Sequence, residues 1–453
     1  MRVVCLRAIL VLSSTCGALV CQAAAITEQR VREAVTWLAA DERAGRGTGS
    51  PEIEQAALWL AQRFEAAGLT QVQQGSWMHE FTLPGLVLDS GAVKMKLVRK
   101  MGAEAKEVVL EPDRDVRLWT PADVSEGRDE ACTVARSDDP VMQRLLGAAS
   151  ARRPMVIEVA EDHPYWLRAK GEHSVVISRR AAARPVFLVR NSVLPPLPED
   201  AQNAEITWLA TWSVGAAKKT DVPQKNVMAL LPGTTAKDQY VVVSAHYDHL
   251  GTGNPVNGDA IYNGADDDAT GTTAVVLLAE ALAKTPLRRS VLFVCFSAEE
   301  RGMLGSAAFC AKPPVPLEKI VCNLNIEMIG RPEQGQEGKA WITGVDLSDF
   351  AEIAKPALER RSVGLVDFQM SRQLFAQSDN VSFARRGVVA HSLSAGSLHE
   401  DYHRPSDEVD KLDIVHMTKI VIALLEVVRE LADREAAPAW SEAGGKWLER
   451  VRK

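Results

Sequence analysis

The sequence lacks an excess of basic residues, a long internal hydrophobic run and any internal repeat. Its 52 Lys and Arg residues against 59 Asp and Glu residues give a formal net charge of −7 at pH 7. Nucleic acids and anionic membrane surfaces bind proteins through basic patches, so we expect neither as a main partner. After residue 25 no apolar run approaches the ~20 residues that a membrane span requires. We therefore expect no membrane span in the mature chain.

Cysteine is also scarce, with 7 in 453 residues. The spacing of Cys132, Cys295, Cys310 and Cys322, which follow the first 25 residues, matches no zinc-ligand pattern. Cys295 and Cys322 stand in apolar, strand-like runs, which indicates buried free thiols. An exported protein could also hold one disulfide. The chemistry of this chain is therefore expected to depend on other residue types.

Residues 1–25 have the layout of a secretory signal peptide. Arg2 and Arg7 come first, an apolar stretch follows at 8–20, and small residues end the segment at 23–25. A membrane anchor is the alternative, but the apolar stretch is shorter than the ~20 residues of a membrane span. This pattern predicts an exported protein, periplasmic or extracellular.

The length of the chain and its 46% apolar content allow large cores in two or three domains. Shifts in composition divide the mature chain into four segments. We predict that the first and third form one main domain, that the second is an inserted β-rich lobe, and that the fourth is a tail. Their bounds are 26–84, 85–222, 223–435 and 436–453.

The order of predicted strands and helices along the chain predicts the fold class. Ser50 and Pro51 begin an amphipathic helix that ends near Gly68. After residue 222, continuous apolar runs such as "YVVVSA", "VLFVCFS" and "KIVCNLNI" alternate with helical segments. Such alternation is typical of an α/β fold with three layers, in which a mainly parallel central sheet has helices on both faces.

Acidic and histidine residues follow the predicted strands of the main domain. They lie in "HYDHLG" after the first strand, at Glu299 and Glu300 after the next, and at Glu327 after a third. The stretch "NGADDDATG" opens the helix between the first two of these strands. In open α/β sheets, ligands bind beyond the carboxyl ends of the strands. The sequence therefore predicts that these side chains meet at one edge of the sheet.

Taken alone, each group has an ordinary structural explanation, because aspartates commonly cap helices. Taken together, several carboxylates without a compensating cluster of Lys or Arg would repel one another at low dielectric. A pair of divalent cations removes that repulsion. Imidazole and carboxylate without thiolate suit Zn²⁺, with Co²⁺ or Mn²⁺ as substitutes. A two-metal site needs one bridging carboxylate, and the central aspartate of the triplet, Asp267, is the natural candidate.

These motifs resemble a known family, the co-catalytic di-zinc exopeptidases. This family includes secreted bacterial leucyl-type aminopeptidases and, more distantly, glutamate carboxypeptidase and the transferrin receptor ectodomain. The resemblance covers about residues 26–83 and 222–433, and the lobe is weakly similar to protease-associated insertions, which would cover the mouth of the site. The matching stretches are "DERAGRGTGSPEIEQAA", "VVVSAHYDHLG", "NGADDDATGTTAV", "VLFVCFSAEERGMLGS", "NLNIEMIGR", "SDNVSFARRGVVA" and "HEDYHRPSDEVDKLD".

The resemblance implies a role for each matching residue. Glu299 would be the general base, Asp248 would orient an imidazole ligand, and Tyr402 would donate to the developing oxyanion. The bond between Asp267 and Asp268 is often cis in this family. Two zinc ions per chain are implied, and the metal ligands would be His246, Asp267 as the bridge, Glu300, Glu327 and His403.

Other matching residues are expected around the ligands. Asp268, His399 and Asp379 would lie behind the ligands or face the substrate. His249 is expected to support its loop rather than to bind metal. Glu327 departs from the commonest pattern, which has aspartate at this position, and its extra methylene would alter how it reaches the metal.

The resemblance favours an aminopeptidase that removes N-terminal residues through a metal-bound hydroxide, acting on peptide substrates with a free N-terminus. A carboxypeptidase or dipeptidase on the same metal pair is an alternative, and Arg331, Arg372 and Arg404 are candidates for its carboxylate clamp. A glutaminyl cyclase and a non-catalytic binding ectodomain are further alternatives. The cyclase keeps one zinc and the ectodomain loses ligands or the base, whereas this sequence fills all six positions.

Overall fold

The computed structural model describes residues 26–73, 75–120, 124–136, 153–176, 184–196 and 205–451. The predicted signal peptide, residues 1–25, lies outside the described residues. Among the helices that are described, none is long and apolar enough to cross a membrane.

The described residues form helices and strands of ordinary length. The helices are, in chain order, α1 (Glu28–Leu38), α2 (Pro51–Ala66), α3 (Pro164–Arg168), α4 (Gly271–Leu282), α5 (Leu304–Ala311), α6 (Phe350–Glu359), α7 (Ser371–Leu374), α8 (Asn380–Ala384), α9 (Ile414–Asp433) and α10 (Glu442–Val451). The strands are β1 (Met78–Asp89), β2 (Lys94–Met101), β3 (Glu104–Leu110), β4 (Val116–Thr120), β5 (Glu126–Arg136), β6 (Met155–Val159), β7 (Glu172–Val176), β8 (Val186–Arg190), β9 (Ile206–Ser213), β10 (Lys218–Leu231), β11 (Ala236–His246), β12 (Gly251–Val256), β13 (Asp259–Tyr262), β14 (Arg289–Phe296), β15 (Ile320–Glu327), β16 (Lys339–Ile342), β17 (Gly364–Leu365) and β18 (Val389–Ser394).

The chain divides into two compact units, and the first contains most of the predicted main domain. It comprises the described residues up to Phe81, Gln224–Gly251 and those from Ile261 onward. Its sheet has the strand order β17-β16-β18-β15-β11-β14-β10. The central strands β14, β11, β15 and β18 are parallel, whereas β10 and β16 pair antiparallel with their neighbours. The prediction of a mainly parallel sheet is therefore confirmed.

Helices cover both faces of this sheet, because alternate residues of the buried strands face opposite cores. On β14, Phe293 packs in one core and its neighbour Leu292 packs in the other. The first core also takes in apolar residues of α1, α2, α4, α6 and α9. The second core takes in residues of α5 and α8. The alternation of side chains along a strand thus produces the three layers that the sequence predicts.

Local signals set the ends of the helices. Ser50 accepts a hydrogen bond from the main-chain N–H of Ile53 (3.3 Å), and proline follows at the first helical position of α2. The side chain of Asp413 caps α9 in the same way through the N–H of His416 (2.9 Å). These caps satisfy N–H groups that a helix leaves without partners at its start. Both helices begin where the sequence predicts.

The second unit comprises Thr82–Pro223 and Thr252–Ala260. Its sheet has the strand order β3-β2-β9-β5-β6-β8-β4, and a core that includes Leu97, Phe187 and Trp212 is buried in this unit. The short helix α3 is its only α-helix among the described residues. The segment at 252–260, which sequence composition places in the main domain, belongs with this β-rich unit.

Three details differ from the sequence analysis. The helix predicted from residue 269 begins at Gly271, because residues 265–270 form an irregular turn. Helix α1 was not anticipated from the sequence. The predicted tail contains α10, and Trp447 of that helix packs edge-on against Phe375 at 5.1 Å between ring centroids. Cys132, Cys295, Cys310 and Cys322 are buried free thiols, as expected.

Candidate metal centre

The carboxyl ends of parallel strands bring the predicted site residues to one edge of the first unit's sheet. His246 is the last residue of β11, and Glu327 is the last residue of β15. Glu299 and Glu300 follow β14 by a few residues. His403 lies in the segment after β18. The strand ends therefore place side chains that are more than 150 positions apart in sequence within a few ångströms of one another.

An irregular turn at 265–270 delivers the aspartate triplet to the same edge. Gly264 precedes this turn with a φ of 56°, in the left-handed region that glycine adopts without strain. The peptide bond between Asp267 and Asp268 is cis. The carboxylate of Asp268 accepts hydrogen bonds from the main-chain N–H groups of Gly271 (3.0 Å), Met328 (3.1 Å) and His246 (3.3 Å). Asp268 thus fixes the strand ends behind the site.

Asp267 faces two clusters at once. One of its oxygens, Oδ1, lies 3.3 Å from Nε2 of His246. The same Nε2 lies 3.5 Å from Oε2 of Glu327, and these three residues form the first cluster. The other oxygen, Oδ2, lies 3.2 Å from Nε2 of His403, which in turn is 3.4 Å from Oε2 of Glu300. A carboxylate with one oxygen in each cluster has the arrangement of a bridging ligand.

The second cluster also contains His249, which the sequence analysis assigned to loop support. Nδ1 of His249 lies 2.8 Å from Oε1 of Glu300 and 3.8 Å from Oδ2 of Asp267. We use the name second cluster for Asp267, Glu300, His403 and His249. His399, in contrast, lies apart from both clusters, with its Nε2 at 3.3 Å from Oδ2 of Asp266.

The clusters are electrostatically unbalanced as they stand. Within the described part of the chain, the ion pairs of Asp267, Glu300 and Glu327 involve only histidines and no Lys or Arg. Oδ2 of Asp267, Oε1 of Glu300, Nε2 of His403 and both ring nitrogens of His249 are buried without a hydrogen-bond partner among the described residues. Buried polar atoms almost always have partners. Several such atoms that converge without one fit a site for cations.

The pKa shifts reflect the same crowding. Burial lowers the pKa of His403, but Asp267 and Glu300 outweigh it and raise the pKa to about 10. Burial is likewise outweighed at His246, where Glu327 and Asp267 raise the pKa well above its usual range. The carboxylates therefore strongly favour positive charge at both imidazoles, which is the charge that bound cations would supply.

Comparison with known proteins finds a family match. The model of peptidase family M28 matches residues 226–437, a little under half of the chain.

Curated relatives of this chain are named as leucine aminopeptidases. A probable leucine aminopeptidase of Trichophyton verrucosum is 30% identical over 217 residues, which are 46% of this chain and 57% of that protein. Leucine aminopeptidase 1 of Ajellomyces dermatitidis is 31% identical over 224 residues, which are 46% of this chain and 56% of that protein. The alignments thus span little more than half the length of these relatives.

Solved structures show the fold over more of the chain. The zinc aminopeptidase from Bacillus subtilis has a TM-score of 0.56 at 16% identity and covers 91% of this chain and 97% of its own. The aminopeptidase from Aneurinibacillus sp. strain AM-1 has a TM-score of 0.54 at 17% identity and covers 92% and 96%. At this identity the likeness establishes the fold.

Within the stretch that the M28 model matches, Asp248 contacts His246 through its main chain. Nδ1 of His246 donates to the main-chain oxygen of Asp248 at 3.0 Å, whereas the Asp248 carboxylate lies 3.8 Å from that nitrogen. The resemblance assigned Asp248 the role of orienting this imidazole, and the contact is made by its main-chain oxygen. The carboxylate instead accepts hydrogen bonds from the main-chain N–H of Glu299 (3.0 Å) and the hydroxyl of Thr48 (3.1 Å). Asp248 therefore positions both the imidazole and the segment that carries the predicted base.

Glu327 stands where the commonest pattern of the family that the sequence resembles has aspartate. Hydrogen bonds hold one of its two carboxylate oxygens. Its Oε1 accepts hydrogen bonds from the side-chain amide of Asn325 at 2.7 Å and from the hydroxyl of Ser378. The other oxygen, Oε2, is the one that faces His246. The two donors compensate for the extra methylene because they fix which oxygen points into the first cluster. Sequence reasoning missed both donors.

Glu299 and Asp379 are neighbouring acids behind the clusters. Burial raises the pKa of Glu299 well above its usual range, His246 opposes this shift, and Asp379 adds to it. Burial also raises the pKa of Asp379, to about 7. Tyr402 is 37% exposed, and its ring stacks on His403 at 3.9 Å between centroids. The acid of Glu299 and the phenol of Tyr402 thus lie beside the clusters.

Sequence reasoning also missed two residues that brace the ligand loops. Arg46 is fully buried and donates to the main-chain oxygens of Tyr247 (2.8 Å) and Asn263 (2.8 Å), which flank the two metal-ligand segments. The carboxylate of Asp407 accepts from the main-chain N–H groups of the aspartate triplet, including that of Asp267 at 3.1 Å. Arg46 and Asp407 lie in two stretches that carry the family resemblance, "AGRGTGS" and "RPSDEVD". Their location in these stretches was the sequence signal that could have identified them.

Proposed function

We propose that this chain is a secreted di-zinc aminopeptidase that removes N-terminal residues from peptides. The observation that carries the proposal is the position of Asp267, which presents one carboxylate oxygen to each of two buried donor clusters. The match of the family M28 model to residues 226–437 and the aminopeptidase names of the relatives support the same activity. Export rests on the pattern of residues 1–25, which are outside the described residues.

The donor sets suit two zinc ions. His246, Asp267 and Glu327 would hold one ion, and Asp267, Glu300 and His403 would hold the other. Imidazole nitrogen and carboxylate oxygen are ordinary zinc ligands, and Co²⁺ or Mn²⁺ would be accepted by the same set. Bound zinc would supply Lewis-acid polarisation of the scissile carbonyl and acidify the attacking water.

Three residues around the ions are proposed to have the remaining catalytic roles. Glu299 is the proposed general base, because it is partly buried directly before Glu300 and its raised pKa lets it accept a proton from water and pass it to the leaving amine. Asp248 holds the main-chain N–H of Glu299 at 3.0 Å and so fixes the base relative to His246. Tyr402 would donate its phenolic proton to the oxygen that becomes negative as the carbonyl is attacked.

The state of the candidate clamp arginines favours substrates with a free amino end over substrates with a free carboxylate end. Two of the arginines considered as a carboxylate clamp are already engaged. Arg331 pairs with Asp401 at 3.2 Å, and Arg372 pairs with Asp346 at 2.5 Å. This arrangement favours the aminopeptidase over the carboxypeptidase or dipeptidase alternative.

A panel of amino-acid anilides tests this preference. We expect free aminoacyl anilides to release chromophore and their N-acetylated counterparts to react at least about 100-fold more slowly, because a free amine could bind one of the proposed zinc ions whereas an acetylated nitrogen could not. C-terminal residue release from N-blocked peptides is measured in parallel. Cleavage of blocked anilides as fast as of free ones would rule out an aminopeptidase. Cyclisation of N-terminal glutamine without hydrolysis would favour the glutaminyl cyclase alternative.

Removal of metal is expected to destabilise the protein. Ions that bind only the folded state stabilise it by about 4 kcal/mol per site when their free concentration is a thousand times the Kd. We therefore expect the melting temperature to fall by several degrees after dialysis against a chelator and to recover with Zn²⁺ but not with an equal concentration of Mg²⁺. Mass spectrometry of the native protein should show about two zinc ions per chain. No zinc and no thermal shift would favour the binding-module alternative.

A further inference from the structure

Support of its loop does not by itself explain the position of His249. The residue is 1% exposed, and its Nδ1 lies 2.8 Å from Oε1 of Glu300. Despite this short distance, neither atom has a hydrogen-bond partner in the part of the chain that is described, because the two groups are not aligned as donor and acceptor. Two polar atoms in close contact without a hydrogen bond are explained if both face a third, positively charged partner.

The spacing of these atoms is that of ligands on one cation. With zinc–ligand bonds of about 2.0–2.2 Å, two ligands at tetrahedral or right angles lie about 2.8–3.6 Å apart. The distances in the second cluster fall in this range for Glu300 to His249 (2.8 Å), Asp267 to His403 (3.2 Å) and Glu300 to His403 (3.4 Å). His249 to Asp267 is slightly longer, at 3.8 Å.

The backbone is shaped to admit the ring of His249. At Gly264 a Cβ atom would lie 2.4 Å from Cγ of His249, so only glycine leaves room for the imidazole. The main-chain N–H of His249 donates to the oxygen of Arg46 at 3.2 Å, which anchors the residue at the buried end of its loop. The ring meets His403 edge to face, at 5.7 Å between centroids. Two independent segments thus hold this imidazole against the second cluster.

We propose that Nδ1 of His249 is an additional protein ligand of the cation held by Asp267, Glu300 and His403. This inference rests on the proposed function, because it assumes that the second cluster binds a metal. A fourth protein donor gives this ion a more complete coordination shell than the ion at His246, Asp267 and Glu327. The second cluster therefore binds its ion more tightly, and it fills first when zinc is limiting.

A pair of substitutions separates a ligand from a hydrogen-bond donor. His249→Asp keeps an anionic oxygen near the position of Nδ1 but has no N–H, whereas His249→Asn keeps an N–H donor and only a weakly binding amide oxygen. If His249 is a ligand, the aspartate variant retains zinc affinity better than the asparagine variant. If His249 merely donates to Glu300, the order is reversed, because aspartate would repel that carboxylate.

The measurement is the affinity of each zinc equivalent in the full-length protein, by competition with a chromophoric chelator, together with the visible spectrum of the Co²⁺-substituted protein. We expect His249→Asn to weaken the tighter equivalent at least about tenfold and to change the Co²⁺ spectrum. His391→Asn is the control, because His391 is a buried histidine that bonds Thr343 and Ser348, away from both clusters. Its zinc affinities should equal those of the wild type.

The outcomes distinguish this inference from the proposed function. Unchanged affinities and spectra in His249→Asn, or better binding in His249→Asn than in His249→Asp, would overturn the ligand role while the wild type still binds two ions. A wild type that binds no zinc would overturn the proposed function itself. Circular dichroism of each variant shows whether the fold is retained, and a variant that loses it is replaced by His249→Gln, for which the same loss of affinity is expected.

Discussion

Glu299→Gln is expected to lower kcat by about 10²–10⁴-fold while both zinc equivalents stay bound. Glutamine keeps the shape of the side chain and its place beside Asp248, whose carboxylate holds the main-chain N–H of residue 299 at 3.0 Å. It removes only the ability to accept a proton from the attacking water. Since the proposed zinc ligands are other residues, metal content should be unaffected. Steady-state kinetics and metal analysis by mass spectrometry check both expectations.

The neighbouring residue supplies a matched control. Glu300→Gln is the same chemical change one position later, but Glu300 lies 3.4 Å from Nε2 of His403 and belongs to the second cluster. We expect this variant to lose affinity for one zinc equivalent as well as activity. If Glu299→Gln kept full activity, or if it lost metal as Glu300→Gln does, Glu299 would not be the base.

Arg46→Met is expected to destabilise the protein by about 3–5 kcal/mol and to weaken metal binding about 10–100-fold. The guanidinium donates to the main-chain oxygens of Leu38 (2.6 Å), Tyr247 (2.8 Å), Asn263 (2.8 Å) and Gly264 (3.0 Å). Methionine fills a similar volume but leaves these buried acceptors without donors. It also removes a positive charge: burial lowers the pKa of Arg46 to about 10, so the group is still charged at neutral pH.

Urea unfolding of the metal-free protein and chelator competition measure the two effects separately. Arg32→Met is the control, because Arg32 is exposed on helix α1 and its substitution should change stability by less than about 0.5 kcal/mol. Arg46→Lys should recover only part of the loss, since one ammonium group cannot reach all four oxygens. Equal stability of Arg46→Met and the wild type would show that the ligand loops hold their shape without this residue.

Much of the architecture was accessible from local sequence patterns. Apolar runs such as "VLFVCFS" predicted buried parallel strands, and β14 is buried on every residue. Because parallel strands share one carboxyl edge, the positions of His246, Glu300 and Glu327 could be related before any coordinates were known. The irregular start of the helix after "ADDDATG" could not be predicted, because residues in that stretch look helical by composition. In the structure, Asp267 has an extended φ of −105° and ψ of 96°.

The supports of the site were not accessible in this way. Arg46 contacts residues some 200 positions away, and Ser378 selects one oxygen of Glu327 from 51 positions away. Neither contact leaves a periodic or compositional trace, because it depends on how two distant loops pack. The role of Asp248 is similar, because the resemblance implied that it orients His246 but did not show that its main-chain oxygen makes the contact.

The sequence by itself determined the layers of the first unit and the residue types that gather at its carboxyl edge, because strand periodicity and chain order are local properties. Only the tertiary structure decided which oxygen of each acid faces which cluster, that His249 joins the second cluster, and that Arg46 and Asp407 hold the loops. Those outcomes depend on distances and angles between segments far apart in the chain, and such distances are fixed only when the whole sheet and its helices pack together.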